Sequence, residues 1–157
     1  MFISLSNASA LQVVENVEIE GYEPVKIKES DNALPWELFA KTKQIQASGT
    51  DPEGFDYEYL KPGYSEEIKK LDGTKIRVKG YIFPLDGSEK QKRFLFGPYP
   101  ISCPFHYHAN PNQVINVKAE EPIKFSYDPI IIEGTLELPT NHSDAQIFYL
   151  LKDAVLK

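Results

Sequence analysis

Lys75-Ile76-Arg77-Val78-Lys79-Gly80-Tyr81-Ile82-Phe83 alternates basic and apolar residues along its first half. Successive side chains of a strand point to opposite faces, so this period of two predicts a strand with one wet and one buried face. Gly80 inside it predicts a bulge or a sharp bend. Working outward, Pro84-Leu85-Asp86-Gly87-Ser88 supplies a turn and Arg93-Phe94-Leu95-Phe96 the returning strand. Further strands are expected at Gln113 to Lys118, Ile130 to Leu138 and Gln146 to Leu151. The triplet Ile130-Ile131-Ile132 has the pattern of a strand covered on both faces. Strands this short leave edges exposed unless the sheet closes. The expected fold is therefore mainly β, a small five-stranded OB-like Greek-key barrel over residues 71–157, with a small open sandwich as the alternative.

Upstream, residues 11–70 read as an irregular acidic arm that packs on the barrel and carries one or two short helices. The first is expected over residues 35–46, where Asp31 and Asn32 can cap, Pro35 suits a first turn, and Leu38, Phe39, Thr42 and Ile45 share a face. A polar loop, Ala47 to Gly54, follows. Tyr57, Tyr59 and Tyr64 then precede a second helix, capped by Ser65 and stopped near Asp72-Gly73. Within residues 1–10, Ala8-Ser9-Ala10 is the small-x-small pattern that signal peptidase reads, without the positive region and apolar core of a complete signal. Two readings stay open: the remnant of an export signal, placing the protein in the periplasm or on a membrane anchor, or the frayed terminus of a cytoplasmic protein.

The chain has 157 residues, 23 acidic and 17 basic, for a net charge of −6. Residues 1–70 hold 13 acids and 7 bases, while residues 71–157 hold ten of each. The acidity belongs to the arm, and the balanced barrel argues against a generic nucleic-acid binder. One cysteine, Cys103, excludes an intrachain disulfide. No apolar run approaches the roughly 20 residues of a spanning helix, so no transmembrane segment is expected.

One stretch speaks about chemistry: the proline-stiffened loop from Gly97 to Gln113, between the second and third barrel strands. It holds Cys103, His106 and His108 at Cys-x-x-His-x-His spacing. Thiolate sulfur and imidazole nitrogen are the donors that zinc and copper prefer, so these three are candidate metal ligands, with His142 or a carboxylate to complete the set. The competing reading is packing alone, with a buried cysteine and hydrogen-bonded histidines. No acid is identifiable to orient a Cys-His nucleophilic pair, and the chain reads as non-enzymatic. A basic stripe of Lys75, Arg77 and Lys79 with Lys90, Lys92 and Arg93, interleaved with Tyr81, Phe94 and Phe96, would suit single-stranded nucleic acid. The acidic arm lying over that stripe would neutralise it, leaving a structural or protein-interaction module as the other alternative.

The segment Leu71 to Leu85, Phe94-Leu95-Phe96, Cys103 followed by Pro111-Asn112-Gln113, and Gly134 together resemble a bacterial family catalogued as domain of unknown function 3299. Pro35-Trp36-Glu37-Leu38 is similar to that family's tryptophan-leucine segment, so the likeness covers roughly residues 35–157. The resemblance implies a short exported or lipoprotein-type accessory protein without established enzymatic activity. Genes of the family often sit beside transporter genes, some linked to zinc, which implies a membrane transport complex or another envelope protein as partner. The span from Pro104 to Pro111 departs from the family pattern of one histidine and a run of prolines. A metal role implied by the family therefore falls best on Cys103 and least on His108.

Overall fold

The computed structural model describes residues 12–101, 108–140 and 147–157. Eight strands run in chain order as β1 (Val13–Val14), β2 (Lys43–Thr50), β3 (Asp56–Gly63), β4 (Lys75–Pro84), β5 (Lys90–Gly97), β6 (Ile115–Lys124), β7 (Ile130–Glu137) and β8 (Tyr149–Leu156). Two short helices, α1 (Trp36–Ala40) and α2 (Glu66–Lys69), lie in the first half. The last five strands form a closed barrel in the order β4-β5-β6-β8-β7, with β7 returning to β4. Among the described residues only β6 and β8 pair in parallel, because the chain inserts its last strand between β6 and β7 by a Greek-key route. The OB-like barrel expected from the sequence is present, and the open sandwich is not.

Period-two patterning explains the barrel core. Ile76, Val78 and Ile82 of β4 point inward to meet Phe94 and Phe96 of β5, Ile115 and Val117 of β6, and Ile132 and Leu136 of β7. Gly80 marks the point where β4 changes partner, since Lys75 to Gly80 pair with β7 and Tyr81 to Pro84 pair with β5. A Cβ there would lie 2.5 Å from the Gly97 carbonyl oxygen, so only glycine permits the approach. The expected sharp bend is thus a close crossing of two backbones. In the isoleucine triplet only Ile132 is buried. Ile130 and Ile131 are half-buried, so the expectation of cover on both faces fails at these two.

The arm is more ordered than its composition implies. Residues 43–46, expected as the end of a helix, begin β2 instead, and β1-β2-β3 form an antiparallel sheet. The helix stops at Ala40, and the polar loop expected from Ala47 shrinks to the turn between Thr50 and Asp56. Cross-strand fit is the cause: Tyr57 lies so close over Gly49 that a Cβ there would meet its ring at 2.8 Å. The second helix is as expected, with Ser65 Oγ accepting from the Ile68 N–H at 3.4 Å.

Arm and barrel share one hydrophobic core. Trp36 and Phe39 of α1 are buried, with Trp36 5.3 Å from Phe39 and 6.3 Å from Phe96 between ring centroids. Phe39 meets Tyr149 edge-on at 5.1 Å. The Trp36 indole N–H donates to the Lys79 carbonyl at 2.7 Å. Beside this apolar seam lies a buried polar node on the turn Pro111–Gln113. Asn112 is 1% exposed, and its Nδ2 lies 2.8 Å from Asn16 Oδ1, 3.1 Å from the Ala40 carbonyl and 2.9 Å from the Thr42 carbonyl. Two N–H groups thus serve three acceptors, one of them shared. Asn110 both accepts from the Val17 N–H and donates to the Val17 carbonyl, each at 2.8 Å, as a strand partner would. Tyr149 donates its one proton to the Phe39 carbonyl at 2.6 Å, which leaves the Thr42 hydroxyl, also at 2.6 Å, to donate to Tyr149. Burial holds the Tyr149 phenol well above its usual range, so it stays neutral.

Two outcomes are expected. Asn112→Ala strands the Ala40 and Thr42 carbonyls and lowers unfolding stability by about 1–3 kcal/mol per orphaned group, measured by denaturant midpoint; Asn112→Asp, which faces three acceptors with a carboxylate, falls further. Asp31 is held below its usual carboxylate range, first by the hydrogen bond from Lys79 and then by the Lys28 N–H. Its stabilisation is therefore complete above about pH 4 and is lost as pH falls through the lowered folded value. The wild-type melting temperature should drop more steeply between about pH 5 and 2 than that of Asp31→Asn.

Candidate ligand-binding face

The outward residues of β5, β6 and β8 build a groove of about 410 Å³ on the side of the barrel. Phe94, Val117 and Leu151 point inward, so alternation turns Arg93, Lys118 and Lys152 out to the groove. Arg93 stands directly opposite Lys118, and Leu95 opposite Asn116, which in turn stands opposite Leu150. A cationic row therefore runs beside a row of leucines and one amide. Between Val117 and Ala119 the register shifts, so Lys118 faces two β8 residues, Lys152 and Asp153. Asp153 has φ +52°, a left-handed conformation that Asp tolerates better than most side chains and that produces this bulge.

The rim is pre-organised. Leu85 and Ile147 close the groove at one end. Leu85 starts the β4–β5 turn, which is clamped from beneath by the fully buried Gln91. Gln91 Nε2 donates to the Ser88 carbonyl at 2.6 Å and to Asp86 Oδ1 at 3.0 Å, while its Oε1 accepts from the Leu85 N–H at 3.3 Å. The Ser88 N–H, the Ser88 side chain and Gln91 together hold the Asp86 carboxyl below its usual range.

Charge pairing sets this face apart from the basic stripe expected on β4. Arg77 is paired with Glu133 at 3.1 Å, which lowers the Glu133 pKa, and Lys79 is paired with Asp31 of the arm at 2.9 Å. The arm neutralises that stripe in part, and Phe94 and Phe96, expected to interleave with it, lie in the core. The stripe is also split, because the Lys75 to Lys79 segment borders β7 rather than β5. In the groove, Lys152 pairs with Glu137 at 2.5 Å. Arg93 and Lys118 are exposed and have no acidic partner among the described residues.

The expected metal ligands fall elsewhere. Cys103, His106 and His142 lie outside the described residues. His108 is exposed and lines a shallow depression with Glu18, Glu20 and Tyr22 of the arm. Among the described residues, no three His, Cys, Asp or Glu side chains gather as a metal site. No helix among them is long and apolar enough to cross a membrane. Of the groove residues, sequence reasoning named Arg93 and missed the pairing of Lys118 with Lys152. The available signal was outward parity on the third and fifth barrel strands, but Lys152 lies one residue past the expected strand end.

The barrel strands and the Asn112-Gln113 turn now have structural roles, and they fall within the span of a known family. The profile described as "Protein of unknown function (DUF3299)" matches residues 38–157. The chain belongs to this family. A crystal structure of a DUF3299 family protein from Pseudomonas aeruginosa PAO1, at 2.45 Å resolution, is 29% identical, with a TM-score of 0.46. The match covers 57% of this chain and 64% of that chain, less than two-thirds of its length. No curated protein shows significant similarity. The family assignment supplies no activity, so function has to be argued from the groove.

Because Arg93 and Lys118 are exposed and have no acidic partner among the described residues, the variant Arg93→Glu/Lys118→Glu should unfold within about 0.5 kcal/mol of wild type, measured by chemical denaturation.

Proposed function

We propose that this DUF3299 protein is a non-enzymatic accessory protein whose β5–β6–β8 face binds an acidic polypeptide segment. The observation that carries this reading is the contrast in pairing: the β4 cations Arg77 and Lys79 are neutralised, while Arg93 and Lys118 have no acidic partner among the described residues and stand over a floor containing Leu150. Exposed cations beside apolar side chains favour a ligand that alternates carboxylates with apolar groups. OB-type barrels that hold single-stranded nucleic acid stack bases on aromatic rings, and the residues lining this groove include none.

Fluorescence anisotropy with a labelled acidic peptide containing one phenylalanine tests this. Binding should weaken with salt and disappear in Arg93→Glu/Lys118→Glu. A single-stranded oligonucleotide bound more tightly than the peptide would replace this reading with nucleic-acid binding.

Export and service to a membrane transport complex belong to the same proposal, supported by Ala8-Ser9-Ala10 and the family resemblance. Zinc or copper at Cys103, His106 and His108 is a further part, supported by the donor types and their spacing. Metal analysis of untagged protein should show content that falls in Cys103→Ser and His106→Ala, and equal content in all three proteins removes the metal from the proposal.

A further inference from the structure

We propose that the occupant of the groove is the β2–β3 hairpin of a second copy of this chain. The inference rests on the reading of the β5–β6–β8 face as a site for acidic polypeptide, and it names the segment.

The hairpin tip is Thr50-Asp51-Pro52-Glu53-Gly54-Phe55-Asp56-Tyr57-Glu58-Tyr59, with four carboxylates, three aromatic rings and no basic residue. Its backbone is well defined: the Phe55 N–H donates to Asp51 Oδ1 at 2.8 Å, the Asp51 N–H to the Phe55 carbonyl at 2.9 Å, and Thr50 Oγ1 to Asp56 Oδ1 at 2.8 Å. Yet no residue from 45 to 63 is buried, and Phe55 is 71% exposed. The turn therefore presents a large apolar side chain on a hydrogen-bonded backbone, amid negative charge, that contributes nothing to its own core.

The groove has the complementary character. Its rim residue Leu85 is 53% exposed, its floor contains Leu150, and its open charges are Arg93 and Lys118. A phenylalanine from the tip seats on the leucines while Glu53 and Glu58 meet the two cations. Charge complementarity of this kind sets orientation and disfavours the wrong register. The contact joins two different surfaces, so it closes into a pair when the exchange is reciprocal and extends head to tail when it is not.

Sedimentation and light scattering of the purified chain test this. The mass should rise above the 17.8 kDa of one chain with increasing concentration at low salt, and return to it at high salt. Phe55→Ser should weaken association by about tenfold or more, the loss expected for one buried phenylalanine. The hairpin variant Glu53→Lys/Glu58→Lys and the groove variant Arg93→Glu/Lys118→Glu should each stay monomeric, because like charges then meet. Mixed together they should associate again, since each hairpin finds an opposite groove. Circular dichroism checks that both variants are folded. A wild-type chain that stays monomeric, variants that associate as wild type does, or a mixture that stays monomeric overturns the inference. If the acidic peptide still binds a monomeric wild type, the inference falls while the binding face stands; if the peptide fails as well, both fall.

Discussion

The Trp36 indole against the barrel is the contact on which the rest of the molecule depends. It packs on Phe96 and donates its N–H to the Lys79 carbonyl beside Gly80, where β4 leaves β7 for β5. A carbonyl at such a handover needs a donor, and the indole supplies one while adding a large apolar surface to the core. The same seating carries Leu34, whose N–H donates to the Arg77 carbonyl at 2.9 Å, and brings Asp31 onto Lys79. One buried ring thus fixes the path of the arm and decides which barrel cations are covered.

That choice of covered charges gives the molecule its functional asymmetry. The second half of the chain is neutral in total, but its cations stand on different faces and meet different fates. On β4, Arg77 is paired with Glu133 and Lys79 with Asp31 of the arm, and these hydrogen bonds hold both carboxyls below their usual range. On β5 and β6, Arg93 and Lys118 have no acidic partner among the described residues and stand beside leucines. Surface cations without partners cost a fold little, so their clustering over an apolar floor is better explained by binding than by stability.

The polar node around Asn112 explains what holds the turn Pro111–Gln113 against the arm. Its amide joins the arm at Asn16, Ala40 and Thr42, so this turn locks the two halves together. A cavity-filling apolar side chain could not replace it, because the Ala40 and Thr42 carbonyls would be left buried without donors. Read as sequence, these residues looked like the tail of a chemical loop; in the fold they anchor the arm.

By itself the sequence determined the barrel, because a period of two, glycine at a crossing and turn residues between strands are local signals that pleat geometry imposes directly. It likewise determined the Ser65-capped helix. It did not determine that residues 43–50 form a strand, since the fit of Tyr57 over Gly49 and of Ile45 against Gly63 exists only once the hairpin has formed. Nor did it separate the useful cations from the silent ones. Arg77, Lys79, Arg93 and Lys118 are equivalent as letters with strand parity. Only the tertiary structure, in which strand order places Glu133 beside Arg77 and leucines beside Arg93 and Lys118 while the seated arm places Asp31 beside Lys79, decided which charges stay open to a ligand.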